Sequence, residues 1–600
     1  MAEILSQQYT KVFSKPSDDP SVPSTSDQSH LKSTLSNMEI NEKDFDEAID
    51  ELSSTAAAGP DGFPAMLLKK CKSKFLQPLT IIWRQSLKEG SVPAKLKRSL
   101  ITPVHKGESK SIAANYRPIA LTSHLIKLFE KVIRKQMIKH MNENELFNAS
   151  QHGFRTGRSC LSQLLEQYDT VLSIIDDEAN ADVVYLDFAK AFDKVDHNIV
   201  LKKMSELGIH GNIHKWLTSF LKNRFQSVIV NGVISDPQPV ISGVPQGSVL
   251  GPIIFLILLG DIDDEIVNSI VKSFADDTRT TKSVKSTEDT ILLQNDLNLI
   301  YKWTKQNNML LNYIKFELLR YGKNEELKNE TSYHTPAGDN ITTKNDVKDL
   351  GVIMSSNCSF VTQINKVIEK AKNLTSWILR AFSTRNRTAM ITLYKSLVIP
   401  VLEYCSVLWC PTRPGLIKQL EAIQWSFLRK FAGSSGNDYW ECLKNMNMYS
   451  LERRRERYRI IYVWKVLENM VPNINNQITA RDNDRRGRHC ITPTLKRSSE
   501  KICNLHQSSL PVHGIKLFNA MPKHIRDMTN VSIAKFKRAL DAHLALIPDH
   551  PLIVGYTARK QTVNNSIVNN MPKKTSSVAV PPISRQEHLN RSGELDNLQS

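Results

Sequence analysis

The sequence predicts a mixed α/β fold divided into several subdomains, with a mainly helical C-terminal region. Three observations predict it. Short runs of β-branched and aromatic residues, Val183-Val184-Tyr185-Leu186 and Ile270-Val271, suit buried strands. Ile364, Val367, Ile368, Ala371, Leu374 and Ile378 recur at helical spacing. The length, 600 residues, exceeds what one hydrophobic core serves.

In chain order, residues 1–45 read as a flexible, linker-like stretch, because Ser14 to Ser36 is rich in Ser, Pro and Asp. Gly59-Pro60-Asp61-Gly62 reads as a turn. Ile253 to Leu259 is very apolar but far too short to span a membrane, so it reads as a buried helix. Lys366, Lys370 and Lys372 occupy other positions of the helix marked by Ile364 to Ile378, as a duplex-binding face or a solvated one. Leu451 to Arg459 is a second basic helix, whose arginines and tyrosine suit structured RNA and whose glutamates suit ion pairs within the helix. Residues 551–600 read as a disordered tail, rich in Asn, Ser, Lys and Pro after about Tyr556.

Composition narrows the class. Lys and Arg number 79 against 61 Asp and Glu, a formal charge of +18, which fits a polyanionic partner without proving one. The eight cysteines form no Cys-x-x-Cys pair, which argues against a zinc knuckle and for free thiols in an intracellular protein. Met1-Ala2-Glu3-Ile4 does not open a signal peptide. The expected location is the nucleus or the cytoplasm, with no targeting signal to choose between them and no membrane association.

The chemistry concentrates at the ends of the two strand-like runs. Asp187 follows the first, and Asp276 and Asp277 follow the second. Acidic side chains there are costly unless paired or metal-bound. Three carboxylates brought together repel, and divalent cations remove the repulsion; two Mg²⁺ ions held by aspartates serve in-line phosphoryl displacement. The pattern points to making or breaking phosphodiester bonds, although an Asp-Asp pair alone also suits a turn or a solvated face. Asp193 and Asp196 read as structural, capping a helix that starts near His197. Pro245-Gln246-Gly247 reads as a loop opening a helix, permitting close backbone approach, with Gln246 offering a donor and an acceptor.

The motifs carry a resemblance. The segment from Tyr185-Leu186-Asp187-Phe188 to Asp196-His197, the segment Gly243-Val244-Pro245-Gln246-Gly247-Ser248-Val249-Leu250-Gly251-Pro252, and Phe274-Ala275-Asp276-Asp277-Thr278 resemble, in order and spacing, the three catalytic motifs of reverse transcriptases from non-LTR (LINE-type, jockey-like) retrotransposons. Pro103-Val104-His105-Lys106-Gly107 and Asn115-Tyr116-Arg117-Pro118-Ile119 resemble the fingers segments of that family. Gln151 to Ser159, Leu311 to Lys315, Asp349-Leu350-Gly351-Val352 and Leu517 to Pro522 resemble further segments, so the likeness runs from about Ala57 to about Asp541.

The resemblance implies a right-hand polymerase: fingers and palm over 46–345, with an antiparallel palm sheet backed by helices, and a helical thumb and C-terminal region over 346–550. It implies RNA-templated addition of deoxynucleotides to a DNA 3′ end, with an RNA template, a DNA primer and deoxynucleoside triphosphates as partners. By the same resemblance Asp187, Asp276, Asp277 and the backbone carbonyl of Phe188 hold two Mg²⁺ ions, with Mn²⁺ as an alternative. Lys106 and Arg117 contact the triphosphate, and Phe192 lies under the sugar of the incoming nucleotide. Gln246 and Gly247 support the nascent base pair, Lys315 donates a proton to pyrophosphate, and Arg155 and Arg158 belong to a loop touching template phosphates. In the family a linker joins an endonuclease to the polymerase, and that domain is expected to be lacking here. Two rival readings are an inactive remnant that binds RNA and a group II intron-type maturase. The sequence does not indicate an oligomeric state.

Overall fold

The computed structural model describes residues 1–15, 31–107, 109–432, 438–481, 487–492, 500–551, 553 and 565–570. Its centre is a five-stranded sheet in the order Thr342–Lys344, Glu317–Tyr321, Asn180–Leu186, Asp277–Val284, Ile270–Phe274. The pairs are antiparallel except the first, which is parallel. Asn180–Leu186 is buried along nearly its whole length because helices cover both faces. Successive side chains point to opposite faces. Ala181 and Val183 therefore join the core formed with helix Cys160–Asp176 and the C-terminal helices. Val184 and Leu186 join a second core, built with helices His197–Glu206, Gly251–Leu258 and Thr287–Gln306.

Gly251–Leu258 is the expected buried helix, with Ile253 to Leu258 all inside. Among the described residues no helix is long and apolar enough to cross a membrane. A second sheet, also of five strands but shorter in total and hence the smaller, pairs Arg98–His105 antiparallel with Tyr116–Leu121 and parallel with Arg224–Val230.

The N-terminal region differs from the linker expected. Ala2–Thr10 is a helix whose Leu5 and Tyr9 are buried against Ile101, Ala120 and Val228 of the smaller sheet. The Lys32 amide donates to Asn144 Oδ1 at 2.7 Å, and the Leu35 amide to the Gly208 carbonyl at 2.8 Å. Apolar residues within a polar sequence supply the docking. Residues 16–30, the middle of the expected linker, lie outside the described residues. Most of the expected tail also lies outside them, but Ile567–Asn570 is a short helix, and Ser566 and Ile567 are buried beside Glu456.

Beyond the central sheet, the hairpin Asp346–Asp349/Val352–Ser355 leads into helix Val361–Ala381. Ile364, Val367, Ile368, Ala371 and Ile378 are buried on one face, as their spacing predicts, and Lys366, Lys370 and Lys372 are exposed. Helix Leu451–Leu467 is the correction. Arg453, Arg454, Arg455, Arg457 and Arg459 are all buried rather than presented to RNA. Arg454 pairs with Glu403, its Nη2 donating to Glu403 Oε2 at 2.9 Å, and Arg457 Nη2 donates to Asp541 Oδ2 at 2.8 Å. The partners come from distant segments, so ion pairs within the helix are not what neutralises these two arginines.

Candidate active site

Register places the carboxylates. Leu186 pairs with Thr278, so Asp187, one residue further, comes level with Asp277. Phe274 pairs with Asp277 across the neighbouring hairpin, leaving Ala275 and Asp276 as its two-residue turn. Ala275 takes a left-handed backbone, φ 54°. The Asp187 carbonyl accepts from the Asn312 amide at 2.8 Å and the Ala189 amide donates to Leu310 at 2.8 Å, so these bonds flank Phe188 and tie the strand end to the segment that precedes Lys315.

The electrostatics show the crowding. Burial first, and then Asp187, raise the Asp276 carboxyl above its ordinary range, while Arg117 and Lys106 act in the opposite sense. Asp277 is pushed up to about 6 by burial first, then by Asp276, Asp349 and Asp187, against Arg279. Lys315 Nζ stands 3.1 Å from Asp187 Oδ2. A cleft of about 370 Å³ lies there, lined by Tyr185, Asp187, Asp277, Arg279, Lys315 and Asp349 among others. Arg279 and Asp349 form a fully buried ion pair that joins the central sheet to the following hairpin.

The cations reach the site from the smaller sheet. Arg117 pairs with Val104, and the Lys106 amide donates to the Asn115 carbonyl at 2.8 Å, which aligns the two segments. Both side chains also act on Asp193. Gln246 Nε2 donates to Asp193 Oδ1 at 2.8 Å, so Asp193 holds this loop in place. Gly247 has φ +121°, and a Cβ there would lie 2.6 Å from the Ala120 carbonyl oxygen. Only glycine permits that approach. Phe192 is half-buried, stacked on Phe255 at 4.4 Å with the exposed Phe154 at its edge. Asp196 caps helix His197–Glu206 by accepting from the Asn198 and Ile199 amides, as its sequence position predicts.

Two features escaped the sequence reading. Glu130, wholly buried, accepts from the Val249 and Leu250 amides at 2.7 and 3.0 Å and so anchors the loop that carries Gln246. Arg155 and Arg158 brace their own loop: Arg155 Nη1 donates to Asn148 O and Arg158 Nη1 to Ala149 O, each at 2.6 Å. Both arginines are half-buried, and these bonds use Nη1 of each guanidinium.

Among the described residues no group of three His, Cys, Asp or Glu side chains closes a metal cage. The donor chemistry nevertheless fits a hard divalent cation. Two of the carboxylates are raised partly by other aspartates of the site, and an ammonium already neutralises the third.

Comparison with known proteins finds relatives over the same part of the chain. Residues 104–354 match the family model described as reverse transcriptase (RNA-dependent DNA polymerase). Every site residue discussed above, from Lys106 to Asp349, lies inside that match. The chain is 26% identical over 401 residues to a probable RNA-directed DNA polymerase from transposon X-element of Drosophila melanogaster, covering 64% of this chain and 43% of that protein. It is 26% identical over 392 residues to the RNA-directed DNA polymerase from mobile element jockey of the same species, covering 63% and 42%. It is 24% identical over 450 residues to the probable enzyme from transposon BS, covering 72% and 49%. The chain thus carries a reverse transcriptase domain. It is homologous to the RNA-directed DNA polymerases of non-LTR retrotransposons of the jockey and X-element kind. It spans less than half the length of these relatives.

Proposed function

We propose that this chain is an RNA-directed DNA polymerase that extends a DNA 3′ end on an RNA template. In this reading the smaller sheet belongs to the fingers, the central sheet is the palm and helix Val361–Ala381 opens the thumb. The single observation that carries it is the register bringing Asp187 level with Asp277 and beside the Asp276 turn.

Asp187 and Asp276 are the essential metal ligands, with Asp277 and the Phe188 carbonyl completing the set. Two Mg²⁺ ions, or Mn²⁺ in their place, would supply activation of the primer hydroxyl and neutralisation of the leaving pyrophosphate. Arg117 suits bidentate contact with the triphosphate and Lys106 point-charge neutralisation. Gln246, held by Asp193, supports the nucleotide over Gly247. Phe192 fills the space a 2′-hydroxyl would need. Lys315, beside Asp187, would donate a proton to pyrophosphate.

Primer extension on an annealed RNA template and DNA primer tests this. Deoxynucleotide addition dependent on a divalent cation is expected of the wild type. Its absence would overturn the proposal and favour a remnant that only binds RNA.

A further inference from the structure

The turn bearing Asp276 is held from outside its own hairpin. The chain from Ser150 to Gly153 runs parallel beside edge strand Ile270–Phe274, with the Ser273 amide donating to Ser150 O at 3.0 Å and the His152 amide to Ser273 O at 2.8 Å. This places the buried Gln151 side chain against the turn. Its Oε1 accepts from the Ala275 amide at 2.9 Å and the Gly153 amide at 2.8 Å, and its Nε2 reaches Ala275 O at 3.4 Å. Ala275 needs such support, because a left-handed backbone costs an L-residue about 1–2 kcal/mol. A Cβ at Gly153 would lie 2.4 Å from the Ala275 nitrogen, so the approach depends on glycine.

The clamp is itself anchored. His152 is fully buried, its Nδ1 3.1 Å from Ser162 Oγ and its Nε2 3.1 Å from Glu166 Oε2. Glu166 also pairs with Lys272 of the edge strand. A continuous set of bonds thus runs from helix Cys160–Asp176 to the Ala275-Asp276 turn.

We propose that Gln151 is a positioning residue for the metal site, fixing the turn so that Asp276 and Asp187 can share a divalent cation. This rests on the reading of the site given above. Its amide bonds the backbone of Ala275 and Gly153 and, among the described residues, hydrogen-bonds no carboxylate of the site. Glu would keep the acceptor that serves both amides, whereas Met would fill the volume and accept neither.

The test is Mn²⁺ binding to the full chain with annealed RNA template and DNA primer, read from the loss of the free Mn²⁺ paramagnetic resonance signal. Gln151→Met is expected to weaken Mn²⁺ binding about tenfold or more, as loss of a group supporting metal ligands does. The Mg²⁺ concentration for half-maximal extension rises in parallel, duplex affinity by fluorescence anisotropy stays unchanged, and Gln151→Glu retains Mn²⁺ affinity. If Gln151→Met fails to fold, Gly153→Ala, which pushes on the same turn, is expected to show the same weakening. Wild-type Mn²⁺ affinity in the folded variants would overturn the proposal, as would equal losses in the Met and Glu variants. Wild-type protein that binds Mn²⁺ but extends no primer would overturn the polymerase reading instead. Wild-type protein that binds no Mn²⁺ would overturn both.

Discussion

Asp276 and Asp277 are neighbours in sequence and differ in surroundings. Asp276 sits in the turn, where Lys106 and Arg117 act on it. Asp277 opens the following strand on the side of Arg279 and Asp349. Asn keeps the size of Asp and removes its charge. Primer extension is therefore expected to be lost in Asp187→Asn and in Asp276→Asn and to be only reduced in Asp277→Asn, with duplex affinity retained. Full activity in either of the first two would remove the metal assignment. Phe192 presents a second contrast, since its ring is half-buried on Phe255 and not sealed in the core. Phe192→Ala is expected to lower the ratio of deoxynucleotide to ribonucleotide incorporation efficiency while deoxynucleotide addition persists. An unchanged ratio would make Phe192 a packing residue only.

At the scale of elements, helix Leu451–Leu467 is the instructive case. Arg454 and Arg457 are structural cations, because Glu403 and Asp541 reach them from the helices Ile399–Glu403 and Ile533–Leu544. Removing one partner of a buried pair costs about 3–5 kcal/mol. Glu403→Gln is expected to lower the melting temperature strongly and leave RNA affinity of the folded protein unchanged; a drop in affinity without loss of stability would restore an RNA-binding role. Glu421, fully buried in the earlier helix Pro414–Leu428, is pushed up to about 8 by burial, with Arg455 acting against it. The folded state keeps a proton there that the unfolded chain releases near the ordinary carboxylate range. The corresponding stability is complete below that range and is lost as pH rises through about 8. Glu421→Gln is expected to flatten the fall in melting temperature between mildly acidic pH and about pH 8.

For the whole molecule, the formal charge of +18 acquires a direction from the fold. The basic run at Arg453 to Arg459 is internal, whereas Lys366, Lys370 and Lys372 are exposed on the helix that follows the central sheet. Replacing all three by Ala is expected to weaken RNA–DNA duplex binding and to reduce the slope of log affinity against log salt by up to about 0.9 for each phosphate no longer neutralised. Anisotropy titrations at several KCl concentrations measure it. An unchanged slope would identify these lysines as a solvated face.

The sequence by itself determined what local pattern encodes. It marked the carboxylates at the ends of two strands, the Gln246-Gly247 loop, the Asp196 cap, the buried helix over Ile253 to Leu259 and the amphipathic helix over Ile364 to Ile378. Each has a signature in a few consecutive residues, such as alternation, helical spacing or turn chemistry. Tertiary structure decided which partner each polar group meets. Gln151 and Ala275 are 124 positions apart, and Glu130 lies 119 and 120 positions from the amides it anchors. An arginine reads the same whether its carboxylate is distant in the chain or absent, so the burial of Arg453 to Arg459 has no local signal. Leu5 and Tyr9 likewise read as isolated apolar residues until the smaller sheet offers them a face. Pairing and burial depend on the whole packed chain, and that is why they were settled only there.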